Sequence, residues 1–244
     1  MLKYLSYIHD KGLIFLKKQA LFAAFPYTLP VLTGYLFIGI AFGVLLTSKG
    51  YSPWWALAMS LFIYAGAMQF VTIALISGPF APLTAALMTL MVNARHLFYG
   101  LSMLTRFRPL GKAKTYPVFA LTDETYSLYC LTKAPKGISE KWFDISLALL
   151  NQLYWLLGTA IGGIIGAHLP FDATGIDFAM TALFAVIFLE QWDSAKDRRP
   201  AICGLVVTLL CLILFGKDWF VLASMVSLLA ILTLGRSRLE GKRP

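Results

Sequence analysis

The sequence predicts an all-α, polytopic membrane protein with seven membrane segments, or eight if one interrupted stretch also crosses. Three observations carry that prediction. Hydrophobic residues make up 59% of the 244-residue chain and charged residues 14%, with a mean hydropathy of +0.73. A soluble domain is about 45–50% apolar and about 25% charged. The apolar residues fall in runs near the roughly 20 residues that a spanning helix needs. The formal charge of +9 lies mainly between those runs, where lysine and arginine set membrane orientation. It therefore does not point to nucleic acid. A soluble enzyme, a disordered chain and a small secreted scaffold are excluded by the same figures. Of the three cysteines, Cys203 and Cys211 share one apolar run. They would lie about 12 Å apart on a helix, too far to bridge.

Taken in order, residues 1–25 form a basic amphipathic segment, 26–235 the transmembrane domain and 236–244 a basic tail. In the first segment Leu2, Leu5, Ile8, Leu13 and Leu16 recur near helical spacing among Lys3, Lys11, Lys17 and Lys18. That pattern suits a membrane-surface helix or a solvated leader helix. No signal-peptide cleavage pattern follows it. Spans are expected at 26–47, 54–76, 80–104, 145–167, 176–189, 201–215 and 219–234. Pro26 and Pro30 predict a break where the first begins. The stretch 116–132 is apolar but carries Asp123 and Glu124. It reads as an amphipathic helix, a re-entrant segment or an eighth crossing.

Seven crossings put fifteen basic loop residues on one side and five on the other; eight give fourteen against six. The richer side is cytoplasmic. Seven crossings then leave the N-terminus outside, and eight bring it inside. Trp54, Trp55, Trp142, Trp192 and Trp219 fall at span ends, where an interfacial belt would hold them. The run from Leu36 to Gly43 echoes Trp155 to Gly162 at an offset of 119, and Gln69-Phe70 echoes Gln191-Trp192 at 122. Three-span repeats in an odd-numbered bundle would be inverted, a transporter pattern. Shared glycine-rich composition is the alternative explanation.

The polar residues inside the spans carry the chemistry. Asn93-Ala94-Arg95-His96 sits in the middle of the third span. An arginine at membrane depth costs at least about 2.5–3.5 kcal/mol and needs a cavity or a partner. On a helix, Asn93, His96 and Gly100 share one face while Arg95 sits above Tyr99. A break at Asn93 would make two half-helices meeting at a polar centre. Arg95 suits a carboxylate, because its planar fork matches two oxygens. His96 suits proton relay or a structural role. Leu121-Thr122-Asp123-Glu124 reads either as a capped helix start or as a carboxylate partner for Arg95, an ammonium or a proton. Gln69, flanked by Tyr64 and Gly66, is either interhelical glue or pocket lining, as are Asn151 and Gln152. Gly39, Gly43, Gly158, Gly162 and Gly166 permit close helix approach. No phosphate loop, zinc-protease motif or nucleophile elbow is present, and no spacing supports a metal site or a cofactor.

Three of these features in this order resemble the AzlC family, the large membrane subunit of bacterial branched-chain amino acid exporters. Tyr64, Ala65, Gly66, Gln69 and Phe70 match its second-span motif. Asn93, Arg95, His96, Tyr99 and Gly100 match the third, and Leu121, Thr122, Asp123 and Glu124 the segment after the basic loop. Some members carry Asp where this chain has Asn93. The resemblance covers about residues 20–235, with its specific motifs in the first half. It implies export of branched-chain amino acids through the cytoplasmic membrane, beside a small AzlD-type membrane subunit, and the titratable residues add the expectation that the proton gradient drives it. Arg95, Asn93, Gln69, Tyr64 and Tyr99 would bind substrate, and His96, Asp123 and Glu124 would couple protons. A passive pore for small zwitterions is the alternative.

Overall fold

The computed structural model describes residues 2–79, 81–168 and 197–234, with scattered positions between 169 and 196. The expected fifth span at 176–189, Glu190, Gln191 and the basic tail 236–244 lie outside the described residues. Every element among the described residues is helical: α1 (Leu2–Ser48), α2 (Pro53–Phe62), α3 (Gly66–Ser77), α4 (Pro82–Phe107), a 3₁₀ stretch (Arg108–Lys114), α5 (Thr115–Phe119), α6 (Asp123–Leu131), α7 (Glu140–His168) and α8 (Arg199–Leu234). The chain divides into two units, residues 1–183 and 184–244.

In the first unit, α1 and α7 form the spine. Both are long and apolar enough to cross a bilayer, over Ile14–Ser48 and Glu140–His168. Successive contacts climb both helices together. Tyr27 packs on Phe143, Thr28 bonds Tyr154, Tyr35 meets Trp155, and Thr47 lies beside Gly166. The pair is therefore parallel. Its crossing is built by the two echoing glycine segments. A Cβ on Gly43 would sit 2.5 Å from the Thr159 carbonyl oxygen, and one on Gly162 would strike the Ile40 carbonyl. Gly43 and Gly162, the residues that the offset of 119 pairs, thus lie against each other. An inverted repeat would set the two segments antiparallel, so that expectation is corrected for this pair: the two segments run parallel. Pro26 and Pro30 produce no break either, since α1 runs through both. Thr28 and Thr33 hydroxyls bond the Phe25 and Pro30 carbonyls there, a way in which apolar helices tolerate proline.

The expected second span is not one helix. Helices α2 and α3, of 10 and 12 residues, reach only about 15 and 18 Å at 1.5 Å per residue. They run antiparallel. Pro53 lies against Gly163 and Ser60 bonds Thr159, so α2 descends α7. Gln69 then bonds Ser60, and the Ile76 carbonyl accepts from the Tyr51 hydroxyl where the hairpin began. The turn falls at residues 63–65, where Tyr64 takes φ 45°, a strained setting for a bulky side chain.

The expected break at Asn93 is also absent, because α4 is continuous for 26 residues. Nothing in Asn93-Ala94-Arg95-His96 removes a backbone donor. Arg106 at its end reaches Asp144 at the start of α7, so α4 runs opposite to α1 and α7.

The stretch 116–132 forms a second hairpin. It leaves the α4 end near Arg106, reaches Thr122 beside Tyr35, and returns to place the Tyr129 and Thr132 carbonyls on Arg106 again. The two hairpins thus enter from opposite ends of the α1–α7 spine, and their tips meet midway. Tyr64 of the first packs on Phe119 of the second. In the second unit, α8 turns at Gly216 (φ 69°), with an apolar helix at Arg199–Gly216 long enough to cross. The expected sixth and seventh spans divide there.

Candidate functional site at the hairpin tips

Helix α4 presents its polar residues on two faces. Arg95, Tyr99, Ser102 and Arg106 recur at helical spacing and all reach toward α6 or beyond it. Arg95 Nη2 lies 3.0 Å from Asp123 Oδ2. The Tyr99 hydroxyl donates to Asp123 Oδ1 at 2.7 Å, and its ring stacks on Tyr126 at 4.3 Å. The Arg95 and Asp123 side chains keep 30% and 24% exposure, so the pair can be reached. Arg106 closes the row with a two-point bond to Asp144 at 2.9 and 2.7 Å.

Asn93, His96 and Gly100 form the other face and line a cavity of about 240 Å³. The hairpin tips complete its walls with Tyr64 and Ala65 from one, and Val118, Phe119 and Leu121 from the other. Asn93, one of the lining residues, holds a buried Oδ1 that makes no hydrogen bond, while the buried Tyr64 hydroxyl lies toward Tyr35 and Thr125. Buried polar groups are rarely left so. His96 Nδ1 lies 3.2 Å from the Asn93 carbonyl. A carbonyl only accepts, so Nδ1 carries the proton there and Nε2 is left as acceptor. Helix α3 starts at the tip without a side-chain cap, which adds partial positive charge at this level.

The sequence-predicted residues therefore separate. Asn93, His96 and Tyr64 are brought to the cavity, and Arg95, Tyr99 and Asp123 form a charged cluster beside it. Gln69 goes elsewhere. It is fully buried, donates to Ser60 Oγ at 3.0 Å and accepts from Trp155 Nε1 at 3.0 Å. Both ends of its amide are used in bonds to α2 and α7, and it is not among the residues lining the cavity. Thr122 caps α6 as expected, accepting from the Thr125 N–H, while Asp123 in the same first turn still reaches Arg95.

Glu124 accepts from the Tyr35 hydroxyl at 2.7 Å. That hydroxyl in turn lies 2.6 Å from Thr122 Oγ1, Thr125 Oγ1 follows at 2.9 Å, and Asn151 Nδ2 donates to Thr125. This chain ties the second tip to α1 and α7. Gln152 ties both tips, accepting from the Tyr116 hydroxyl and donating to the Leu61 carbonyl. Sequence reasoning missed Tyr35, Ser60 and the Arg106–Asp144 pair. Only the polar run on α7 hinted at this network.

The chain matches the family described as AzlC protein over residues 30–169, the stretch from within α1 to the end of α7. It is 46% identical to the branched-chain amino acid transport protein AzlC of Bacillus subtilis, covering 89% of this chain and 86% of that one. It is 44% identical to an uncharacterized membrane protein of Helicobacter pylori, covering 89% and 95%. It is 31% identical to the inner membrane protein YgaZ of Escherichia coli, covering 82% and 84%. No solved structure matches it. The described residues are helical and rich in apolar spans, the relatives are membrane proteins, and the chain belongs to the AzlC family.

Proposed function

We propose that the chain is a secondary exporter of branched-chain and similar apolar amino acids in the bacterial cytoplasmic membrane. It is driven by the proton gradient and works with a small AzlD-type subunit. The name of the Bacillus subtilis relative supports the substrate class. The observation that carries the site is the cavity between two opposed hairpin tips, next to the Arg95–Asp123 pair. Non-helical backbone at membrane depth is tolerated where it lines a cavity, and transporters use such discontinuous helices at their binding sites.

In this reading α1, α4 and α7 cross, and α2–α3 and α5–α6 are re-entrant from opposite sides. Eleven basic residues of the first unit lie at the end holding the N-terminus and the α4–α7 connection, from Lys3 to Lys18 and from Arg106 to Lys141. Lys49 alone lies at the other. The first end is therefore cytoplasmic.

A zwitterion inserts into the ion pair, with its carboxylate on Arg95 and its ammonium on Asp123. Asn93, Tyr64 and His96 complete the polar wall. Export driven by inward proton flow needs proton and substrate to exclude one another. Asp123 supplies that exclusion, since protonation removes the charge that holds the ammonium. Glu124 and His96 are the further groups through which the proton passes.

Dipeptide-loaded cells test this. Arg95→Ala lowers valine efflux at least about tenfold, the worth of a charge-assisted hydrogen bond, at matched protein level. A protonophore abolishes uphill efflux in the wild type. Full-rate efflux from the variant removes the carboxylate role, and uphill efflux that survives the protonophore removes proton coupling.

A further inference from the structure

The cavity at the hairpin tips has unlike walls. Tyr64, Asn93 and His96 contribute polar side chains to its lining, and Val118, Phe119 and Leu121 apolar ones. Gly100 completes the α4 side, one helical repeat beyond Asn93. Its role differs from that of the spine glycines. At Gly43 and Gly162 an added Cβ would collide with a neighbouring backbone, whereas one on Gly100 would meet no atom within 4 Å. Packing does not ask for glycine at this place, and a helix interior disfavours it relative to alanine. What the missing side chain leaves is room in the cavity.

We propose that Gly100 sets the size of the pocket that receives the aliphatic side chain of the transported amino acid, against Val118, Phe119 and Leu121. This rests on the export reading above and assigns it a specificity residue. A cavity of about 240 Å³ has room for the three or four carbons of an aliphatic side chain.

Filling Gly100 should therefore discriminate by substrate length. A methylene in an apolar pocket changes selectivity by about 10–200-fold. Efflux of valine and leucine is compared in dipeptide-loaded cells for wild type, Gly100→Ala, Gly100→Leu and Phe119→Ala at matched membrane levels. Gly100→Ala shifts the valine-to-leucine ratio toward valine by about tenfold or more, and Gly100→Leu blocks both. Phe119→Ala, which enlarges the opposite wall, shifts the ratio toward leucine. It tests the pocket even if a Gly100 variant fails to accumulate. Wild-type export with an unmoved ratio in Gly100→Ala and Phe119→Ala overturns this inference and leaves the export reading intact. Absence of branched-chain efflux from the wild type overturns both.

Discussion

At the residue scale, Gln69 and Asn93 show how far a polar side chain can be read in isolation. Both were expected in the substrate shell. Asn93 reaches the cavity, whereas Gln69 is consumed by Ser60 and Trp155. The difference is one of partners. The face shared by Asn93, His96 and Gly100 follows from 3.6 residues per turn, a property of the local chain. The partners of Gln69 come from α2 and α7, and no local pattern announces them. The Arg95–Asp123 contact was legible because an arginine at membrane depth demands a carboxylate and few exist. Tyr35 was not, since a tyrosine in an apolar run looks like any other core aromatic until Glu124 is found beside it. Gln69→Ala should leave the buried Trp155 Nε1–H without its acceptor, while Ser60 keeps Thr159, and lower stability by about 1–3 kcal/mol. Thermal melting of the purified protein would show it. The fraction that stays folded should keep its substrate KM, because Gln69 does not line the cavity. A raised KM at unchanged melting temperature would return Gln69 to the substrate shell.

At the element scale, hydropathy found the apolar runs but not their direction. A run of 23 residues such as 54–76 has the length of a crossing. It becomes two half-length helices because residues 63–65 leave helical geometry, with Tyr64 at positive φ. The signal lay in Tyr64-Ala65-Gly66, which reads as a helix interior unless the turn is known. The run 116–132 disclosed more, since Thr122 followed by Asp123 and Glu124 is a helix start in the middle of an apolar stretch. The spine crossing is the element most fully written in the sequence, through its two glycine segments. Gly162→Ala should drive α1 and α7 apart and destabilise the protein by at least about 2 kcal/mol, as overpacking does. Gly34→Ala, on the same α1 helix where nothing lies within 4 Å, should be neutral or stabilising by up to about 1 kcal/mol. Equal melting temperatures for the two variants would mean that the close crossing is not what holds the spine.

At the scale of the whole molecule, the account turns on two hairpins that enter from opposite faces and meet midway. Charge counting alone could not choose between seven and eight crossings, because it assumed that every apolar run crosses. Once α2–α3 returns to the side it left, and α5–α6 does the same from the other, the basic residues of the first unit separate almost completely. The parallel packing of α1 and α7 is compatible with that proposed topology, which leaves an odd number of crossings between them. Single cysteines at Ser52, Gly78, Gly111 and Gly137, in a background with Cys130, Cys203 and Cys211 replaced, test this directly with a membrane-impermeant maleimide on intact cells. Cysteines at Ser52 and Gly78 should both react from outside, and those at Gly111 and Gly137 only after permeabilisation. Labelling of Ser52 and Gly78 from opposite sides would make 54–76 a true crossing and contradict the account.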